Sequence, residues 1–133
     1  MTALMKSQTL NISIECDPRK VYDFVSNLAN LPKWATTFCQ GIRKMDGEWV
    51  AQTPQGAVTI RMAARNDFGV LDHTVIPAPG VEVFVPMRVV PNATGSEVIF
   101  TLFRQPNMAD ADFTRDQEMV RRDLNSLKSA LES

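Results

Sequence analysis

Cysteine and histidine are scarce in this chain, which contains only Cys16, Cys39 and His73. Two cysteines are too few for a disulfide framework, and their spacing forms no C-x-x-C motif. One histidine without clustered cysteines leaves no transition-metal site of the usual spacing. The sequence also lacks a glycine-rich phosphate loop and a G-x-S-x-G nucleophile motif. We therefore expect a reduced, cytoplasmic protein that uses no metal and no other cofactor.

An excess of charge and a long apolar run are also missing. The 14 basic and 15 acidic side chains give a net charge of −1, which argues against a nucleic-acid partner. The densest apolar segment, residues 83–87, is far shorter than the ~20 residues of a transmembrane helix. Residues 1–10 lack the apolar core of a signal peptide. We expect neither a membrane span nor export.

The composition that remains is typical of a globular domain. Of the 133 residues, 44% are hydrophobic and 22% are charged, which indicates a stable core rather than disorder. A chain of this length has room for one hydrophobic core. The sequence therefore predicts a single domain over residues 1–133.

The first part of the chain predicts one strand and two short helices. Leu10, Ile12 and Ile14 alternate with polar residues, which is the period of a half-buried strand over about residues 7–15. Asp17 followed by Pro18 is a helix start signal, and apolar residues then recur at helical spacing. The segment Asn30-Leu31-Pro32 repeats that start signal, with Asn as the cap, and predicts a second short helix.

The rest of the chain predicts six strands and a long helix. Turn residues divide residues 38–104 at 46–47, 53–56, 66–69, 77–80 and 91–95. After Pro106, apolar residues recur every three or four positions up to Leu131, as in an amphipathic helix. The sheet must be antiparallel, and the last helix is the only sizeable cover for its apolar face. The predicted fold is α+β, with a seven-stranded curved antiparallel sheet wrapped around a long C-terminal helix.

This order of elements resembles the START-like (SRPBCC) helix-grip superfamily, in its polyketide cyclase/dehydrase branch. The resemblance covers nearly the whole chain and includes the phrases Ile12-x-Ile14-x-x-x-Pro18-x-x-Val21-Tyr22-x-Phe24-Val25 and Leu31-Pro32-Lys33-Trp34. It implies an apolar cavity between sheet and helix that holds a lipid, polyketide, steroid or other hydrophobic molecule. The superfamily has no universal catalytic residues and includes enzymes, carriers and sensors, so the fold does not select among them.

His73 is the only side chain whose ordinary pKa lies near neutrality. If it faces the cavity it can act as a general acid or base; otherwise it is a strand histidine satisfied by hydrogen bonds or solvent. Asp72 must point to the opposite face of the strand. A turn at residues 66–69 places His73 inward, on the face of Ile60, Met62 and Ala64. A turn at residues 77–80 places it beside Glu82, Phe84 and Arg88 instead, so either a bulge intervenes or the sheet is buried on both sides. We expect His73 to point inward.

Arg88 lies in a strongly apolar segment. If buried, its guanidinium needs an acceptor, which is either Glu82 on the same face or a ligand carboxylate or enolate. The alternative is an outward arginine in a surface ion pair. The sequence therefore predicts one polar cluster, made of His73, Glu82 and Arg88, with His73 and Arg88 as the candidate catalytic residues.

Apolar side chains are candidates for the cavity wall, although residues of these types more often serve in ordinary core packing. Trp34 follows the short helices, where the mouth of such a cavity would lie, and is a candidate lid. The predicted ligand-binding residues are Trp34, Met62, Glu82, Phe84 and Phe100.

Three functions remain open from the sequence. The first is binding of a hydrophobic small molecule of lipid, polyketide or aromatic type, with Arg88 and His73 fixing its polar end. The second is a cofactor-independent cyclase, dehydratase or isomerase, in which His73 exchanges a proton and Arg88 stabilises negative charge on oxygen. The third is a homodimeric interaction module with a side-chain-filled cavity, because residues 98–103 are apolar on both faces of the last strand.

Overall fold

The computed structural model describes residues 4–132, so residues 1–3 of the segment considered for an export signal, and residue 133, lie outside the described residues. The order of elements agrees with the sequence prediction: a strand, short helices, a run of strands and a long helix. The strands are β1 (Ser7–Ile14), β2 (Gly41–Met45), β3 (Glu48–Thr53), β4 (Gly56–Met62), β5 (His73–Ala78), β6 (Val81–Val85), β7 (Met87–Asn92) and β8 (Gly95–Phe103). The helices are α1 (Pro18–Ser26), a 3-10 turn (Leu28–Asn30), α2 (Leu31–Trp34) and α3 (Asp110–Glu132).

The strands form two antiparallel sheets rather than one seven-stranded sheet. The orders are β1-β8-β7 and β2-β3-β4-β5-β6. The expected sixth strand is divided at Pro86, which has no amide hydrogen with which to continue a ladder. Its carbonyl accepts a hydrogen bond from Thr101 N at 3.0 Å. The curved sheet therefore changes direction at this proline.

Residues 69–72 join the two sheets. Gly69 O accepts from Val89 N at 3.0 Å, and Leu71 N donates to Met87 O at 2.8 Å, so this segment runs beside β7. From His73 onward the chain pairs with β4 and β6 instead. Asp72 lies at the transition, and its Oδ1 accepts a hydrogen bond from Met87 N at 2.8 Å.

Two side chains hold the loop before this junction: the Tyr22 hydroxyl accepts from Asn66 N at 2.9 Å, and the Asn66 side chain makes four hydrogen bonds of its own. Asn66 Oδ1 accepts from the amides of Phe68 and Val70, both at 3.0 Å. Its Nδ2 donates to the carbonyls of Ala64 and Val70. Gly69, which closes the loop, has a φ of +71° and lies directly against Val89. The loop geometry therefore depends on an asparagine and a glycine.

The start of α1 follows the sequence signal. Asp17 accepts a hydrogen bond from Arg19 N at 2.8 Å and Pro18 occupies the first turn. The predicted cap of α2 is wrong, because Asn30 makes no side-chain capping bond. Asn27 caps the preceding 3-10 turn instead, by accepting from Ala29 N at 3.1 Å.

Helix α3 covers the concave face of the curved sheet. Phe113, Leu124 and Leu127 are buried on its inner side, and Lys128 Nζ donates to Ser13 O of β1 at 2.9 Å. Asp123 is buried on the same helix and accepts hydrogen bonds from two loop amides, Thr37 N at 2.9 Å and Phe38 N at 3.2 Å. These bonds fasten the connection between α2 and β2 to the helix.

The outer face of β8, a candidate dimer surface, combines apolar and polar residues. Ile99 and Phe103 are half-buried. Between them, the Thr101 hydroxyl lies 2.9 Å from the Thr9 hydroxyl of β1. Glu97 accepts hydrogen bonds from Ser13 and Asn11 on the same face.

Candidate functional site

His73 lies on the concave face of the five-stranded sheet. It pairs with Met62 of β4 and with Val85 of β6, and directly opposed residues of antiparallel strands share a face. The pairing set by the turn at residues 66–69 is therefore the one that forms. The pairing of β5 with β6 shifts its register between Val75 and Ala78. This irregularity reconciles the two turns, and it corresponds to the bulge that the sequence analysis offered as one explanation.

Burial differs among the side chains of this concave face. Ala51, Val58, Ile60 and Val85 are at most 9% exposed. Met62, His73 and Val75 of the same face are only half-buried, as is Phe100 of β8. His73 therefore lies in a patch of half-buried apolar side chains, which a fully packed core would bury.

The connection that follows α2 lies beside Ala51 of β3. Gln40, in the connection from α2, pairs its amide with Gln52 O of β3 at 2.9 Å, next to Ala51. The C-terminal half of α3, from Asp123 onward, contacts this same connection. Val120, in the N-terminal half of α3, is half-buried against the core. We refer to the half-buried apolar surface around His73, formed by Met62, Val75 and Phe100, as the groove.

The polar group on the sheet wall of the groove is His73. Its Nδ1 lies 3.0 Å from Leu71 O, so the proton resides on Nδ1. The ring meets the Phe100 ring edge-on, with centroids 6.0 Å apart. Burial by surrounding protein atoms lowers the pKa of the imidazole, which is therefore neutral at pH 7. Within residues 4–132, Nε2 has no hydrogen-bond partner, so it can accept a proton or a hydrogen bond.

Two acidic residues on the inner side of α3 were missed from the sequence. Asp116 is half-buried, and burial raises the pKa of its carboxyl group. It precedes Asp123 by seven residues, or two helical turns, so both carboxyls lie on one side of the helix. Burial also raises the pKa of Asp123, against the lowering effect of the Thr37 and Phe38 hydrogen bonds. Two acids spaced seven residues apart on an otherwise apolar helical face are the sequence signal that points to them.

Trp34 does not form a lid. Its side chain is 5% exposed and belongs to the main hydrophobic core, because α2 packs against β2 and α3. Its indole Nε1 is buried and has no hydrogen-bond partner in the described part of the chain. Trp34 is therefore a core residue rather than a lid over His73.

The expected cluster of His73, Glu82 and Arg88 is not formed. Glu82 is exposed, and Phe84, which is 51% exposed, pairs with the outward-facing Thr74. Arg88 lies on the outer face, with Nη2 3.4 Å from Asp72 Oδ2. The predicted cluster depended on one strand continuing through Pro86 and on a β5–β6 pairing without the register shift that the structure shows after Val75. Met62 and Phe100 are the predicted residues that do lie beside His73.

Substitutions of Asp72 and Arg88, which meet where the two sheets join, are expected to lower the free energy of unfolding by different amounts. Asp72→Ala is expected to lower the free energy of unfolding by about 2 kcal/mol, because the buried Met87 amide loses its acceptor. Arg88→Ala removes only a half-exposed ion pair and is expected to cost less than about 1 kcal/mol. Urea unfolding measures both. Equal losses would contradict the role assigned to the Asp72 carboxylate.

Two open depressions lie outside the groove. One, of about 330 Å³, is on the β2–β3 hairpin at the edge of the sheet and is lined by Gly41, Ile42, Arg43, Val50 and Gln52. The other, of about 490 Å³, lies between α2 and α3 and is lined by Lys33, Thr36, Asn125, Ser126, Ser129 and Ala130.

Over residues 4–132, no three His, Cys, Asp or Glu side chains are grouped to hold a metal ion. No helix within that range is long and apolar enough to cross a membrane.

Comparisons with known proteins extend over almost the whole chain. The family model described as polyketide cyclase / dehydrase and lipid transport matches residues 5–132. XoxI from Bacillus cereus superposes with a TM-score of 0.77 at 18% identity, over 96% of each chain. The Aha1 dimer from Colwellia psychrerythraea gives 0.73 at 17% identity, over 96% of this chain and 97% of that one. A START superfamily protein from Mycobacterium smegmatis gives 0.69 at 10% identity, over 95% and 97%. A comparison with curated proteins found no match.

The similar structures confirm the helix-grip fold, which here has eight strands in two sheets instead of the predicted seven in one. The family and the fold together indicate hydrophobic ligand binding or a polyketide cyclase-like activity. With its family model matching residues 5–132, this chain belongs to the polyketide cyclase / dehydrase and lipid transport family.

Proposed function

We propose that the protein binds a small apolar molecule carrying a hydroxyl group in the groove, with that hydroxyl donating to His73 Nε2. The observation that carries the proposal is the state of His73: neutral at pH 7, protonated on Nδ1, and with no partner for Nε2 among residues 4–132. Met62, Val75 and Phe100 surround it with half-buried apolar surface. An apolar site with one correctly placed acceptor is typical of small-molecule binding sites.

The geometry favours binding over turnover. A proton-transfer reaction at His73 needs a group that stabilises the developing negative charge. Arg88, the residue expected to do so, lies on the outer face and pairs with Asp72. The carboxyl group of Asp116 has a raised pKa and can at most donate one hydrogen bond when protonated.

The proposal predicts that His73 distinguishes hydroxyl from methyl. We would titrate 2-naphthol and 2-methylnaphthalene into the wild type and into His73→Phe, which keeps an apolar ring but removes the acceptor. The affinity for 2-naphthol is expected to fall about 5- to 10-fold, the value of one ordinary hydrogen bond. The affinity for 2-methylnaphthalene is expected to stay the same or to rise.

Arg88→Ala is the matched control, because it removes a polar side chain from the outer face, and it is expected to leave both affinities unchanged. The pH dependence gives a second check. Protonation of Nε2 abolishes the acceptor, so the affinity for 2-naphthol is expected to fall below the lowered pKa of His73, under the ordinary value of about 6.5. Failure of both compounds to bind, or an equal loss of both in His73→Phe, would overturn the proposal.

A further inference from the structure

The strand β2 forms a free edge of the five-stranded sheet. Among the described strands it pairs only with β3, and it stands at the end of the strand order. The two-residue turn at positions 46–47 makes Met45 and Glu48 a hydrogen-bonded pair. Because bonded pairs alternate along an antiparallel ladder, the backbone N–H and C=O groups of Ile42 and Lys44 point away from β3. These main-chain groups are open to another strand.

Two neighbouring side chains of this edge are cations without an ionic partner. Arg43 and Lys44 form no ion pair with any acidic side chain in the described part of the chain. Lys44 lies on the concave face, with Nζ 5.4 Å from the centroid of the Trp49 ring. Arg43 points to the outer face, since successive strand residues alternate. Glu48, the acidic residue of β3, binds Arg61 instead. The edge therefore presents positive charge on both faces of the sheet.

The outer face beside Arg43 has room for a side chain from another strand. The depression of about 330 Å³ on this hairpin is lined by the outward residues Gly41, Arg43, Val50 and Gln52, together with Ile42. A Cβ at Gly41 would have no heavy atom within 4 Å. Val50 gives the depression a half-buried apolar wall. The space above Gly41 therefore suits an apolar side chain.

A second copy of the chain is a poor partner for this edge. Full antiparallel overlap of two β2 strands would place Arg43 directly opposite its own equivalent in the other copy. Like charges directly opposite each other destabilise a strand pair, and cations on an exposed edge are a common protection against edge-to-edge pairing. A strand with acidic side chains at these positions reverses the sign of the interaction, so the charge of the edge favours an acidic partner.

We propose that β2 is a docking edge for an extended acidic segment of another protein, which adds to the five-stranded sheet as an antiparallel strand. Two consecutive acidic residues of that segment would lie opposite Lys44 and Arg43, one on each face. The residue two positions further on would lie opposite Gly41 and place an apolar side chain in the depression. From its N-terminus, the recognised sequence is therefore acidic, acidic, any residue, large apolar residue. This interaction is independent of ligand binding in the groove.

The experiment titrates the peptide acetyl-Thr-Glu-Glu-Val-Leu-Thr-amide into the ¹⁵N-labelled full chain. The amide proton signals of Ile42 and Lys44 are expected to shift downfield, because these amides gain hydrogen bonds to the peptide. The amides of Arg43 and Met45 already bond to β3 and are expected to change less. Two control peptides carry glutamine in place of both glutamates, or proline in place of valine, which removes the N–H that would donate to Ile42 O. Each control is expected to bind about 5- to 10-fold more weakly.

Variants of the edge test the same contacts from the protein side. Arg43→Gln combined with Lys44→Gln is expected to weaken the peptide by about 5-fold, and added salt is expected to reduce this difference. Gly41→Phe fills the depression with its own ring and is expected to weaken binding by about 5-fold. The open space around position 41 lets the variant fold. Arg122→Gln, which removes an exposed cation of α3, is the matched control and is expected to leave the affinity unchanged.

Equal affinity for the parent peptide and either control peptide would overturn the proposal, because recognition would then not depend on both charge and main-chain pairing. Absence of shifts at millimolar peptide would overturn it as well. Concentration-dependent shifts of the Ile42 and Lys44 amides without peptide would assign the edge to a second copy, against the proposal. Weaker binding by the double variant and by Gly41→Phe, but not by Arg122→Gln, supports the acidic segment.

Discussion

Replacing Gly69 with alanine is expected to destabilise the protein by about 4 kcal/mol, a value reached by few single substitutions. Gly69 has a φ of +71°, and a Cβ at this position would lie 2.2 Å from the Val89 carbonyl oxygen. That oxygen is part of the β7 backbone beside the sheet junction, so it cannot move away as a flexible side chain could. Either β7 or residues 69–72 must shift.

The glycine at position 80 provides a matched control. Gly80 has a φ of +80°, but a Cβ there would have no heavy atom within 4 Å. Gly80→Ala therefore isolates the cost of the left-handed conformation, expected to be roughly 1 kcal/mol. Urea unfolding of the two variants measures the difference, which we attribute to the contact with Val89. Similar losses in both variants would show that β7 yields easily at this position.

Removing the buried carboxylate of Asp123 is expected to be the second large effect. Asp123→Ala leaves the amides of Thr37 and Phe38 without acceptors and opens a small cavity, with an expected loss of about 3 kcal/mol. Asp123→Asn retains one carbonyl acceptor in the same shape and is expected to lose less. If the alanine and asparagine variants are equally stable, the two amides find other partners and the loop is not held by this side chain.

The pH dependence of the Asp123 contribution has a defined sign. Burial raises the pKa of this carboxyl in the folded state, so the folded protein binds the proton more tightly than the unfolded chain. The stability contributed by protonation is complete below the ordinary Asp pKa and is lost as the pH rises through the raised value. The stability difference between wild type and Asp123→Asn, measured by urea unfolding, is therefore expected to shift toward the wild type as the pH is lowered. A flat difference would contradict the raised pKa.

Local sequence patterns correctly predicted the helices and strands that depend on residues close together in the sequence. Alternation located β1, the Asp17-Pro18 signal located α1, and the three- and four-residue spacing up to Leu131 located α3. The division at Pro86 was missed because apolar residues flank it on both sides and resemble one continuous strand. Only the neighbouring segment 69–72, which pairs with β7, makes the bend at this proline apparent.

The candidate site was predicted only where a local turn determined it. The turn at residues 66–69 correctly placed His73 beside Met62. Glu82 and Arg88 were assigned to the same face because the sequence shows neither the bulge after Val75 nor the bend at Pro86. The partners of Asp123 are more than 80 residues away in sequence. No spacing rule connects residues so far apart, so this contact required the tertiary structure.

The pairing of β1 with β8 has a consequence for how the molecule folds. The hydroxyls of Thr9 and Thr101 meet across 92 positions of sequence, and contacts between such distant residues slow folding because the loop between them must close first. During synthesis, Leu10, Ile12 and Ile14 emerge long before their partners on β8 exist. The first strand to be made is therefore among the last to be ordered, and its apolar residues remain available to chaperones or to other unfinished chains in the interval.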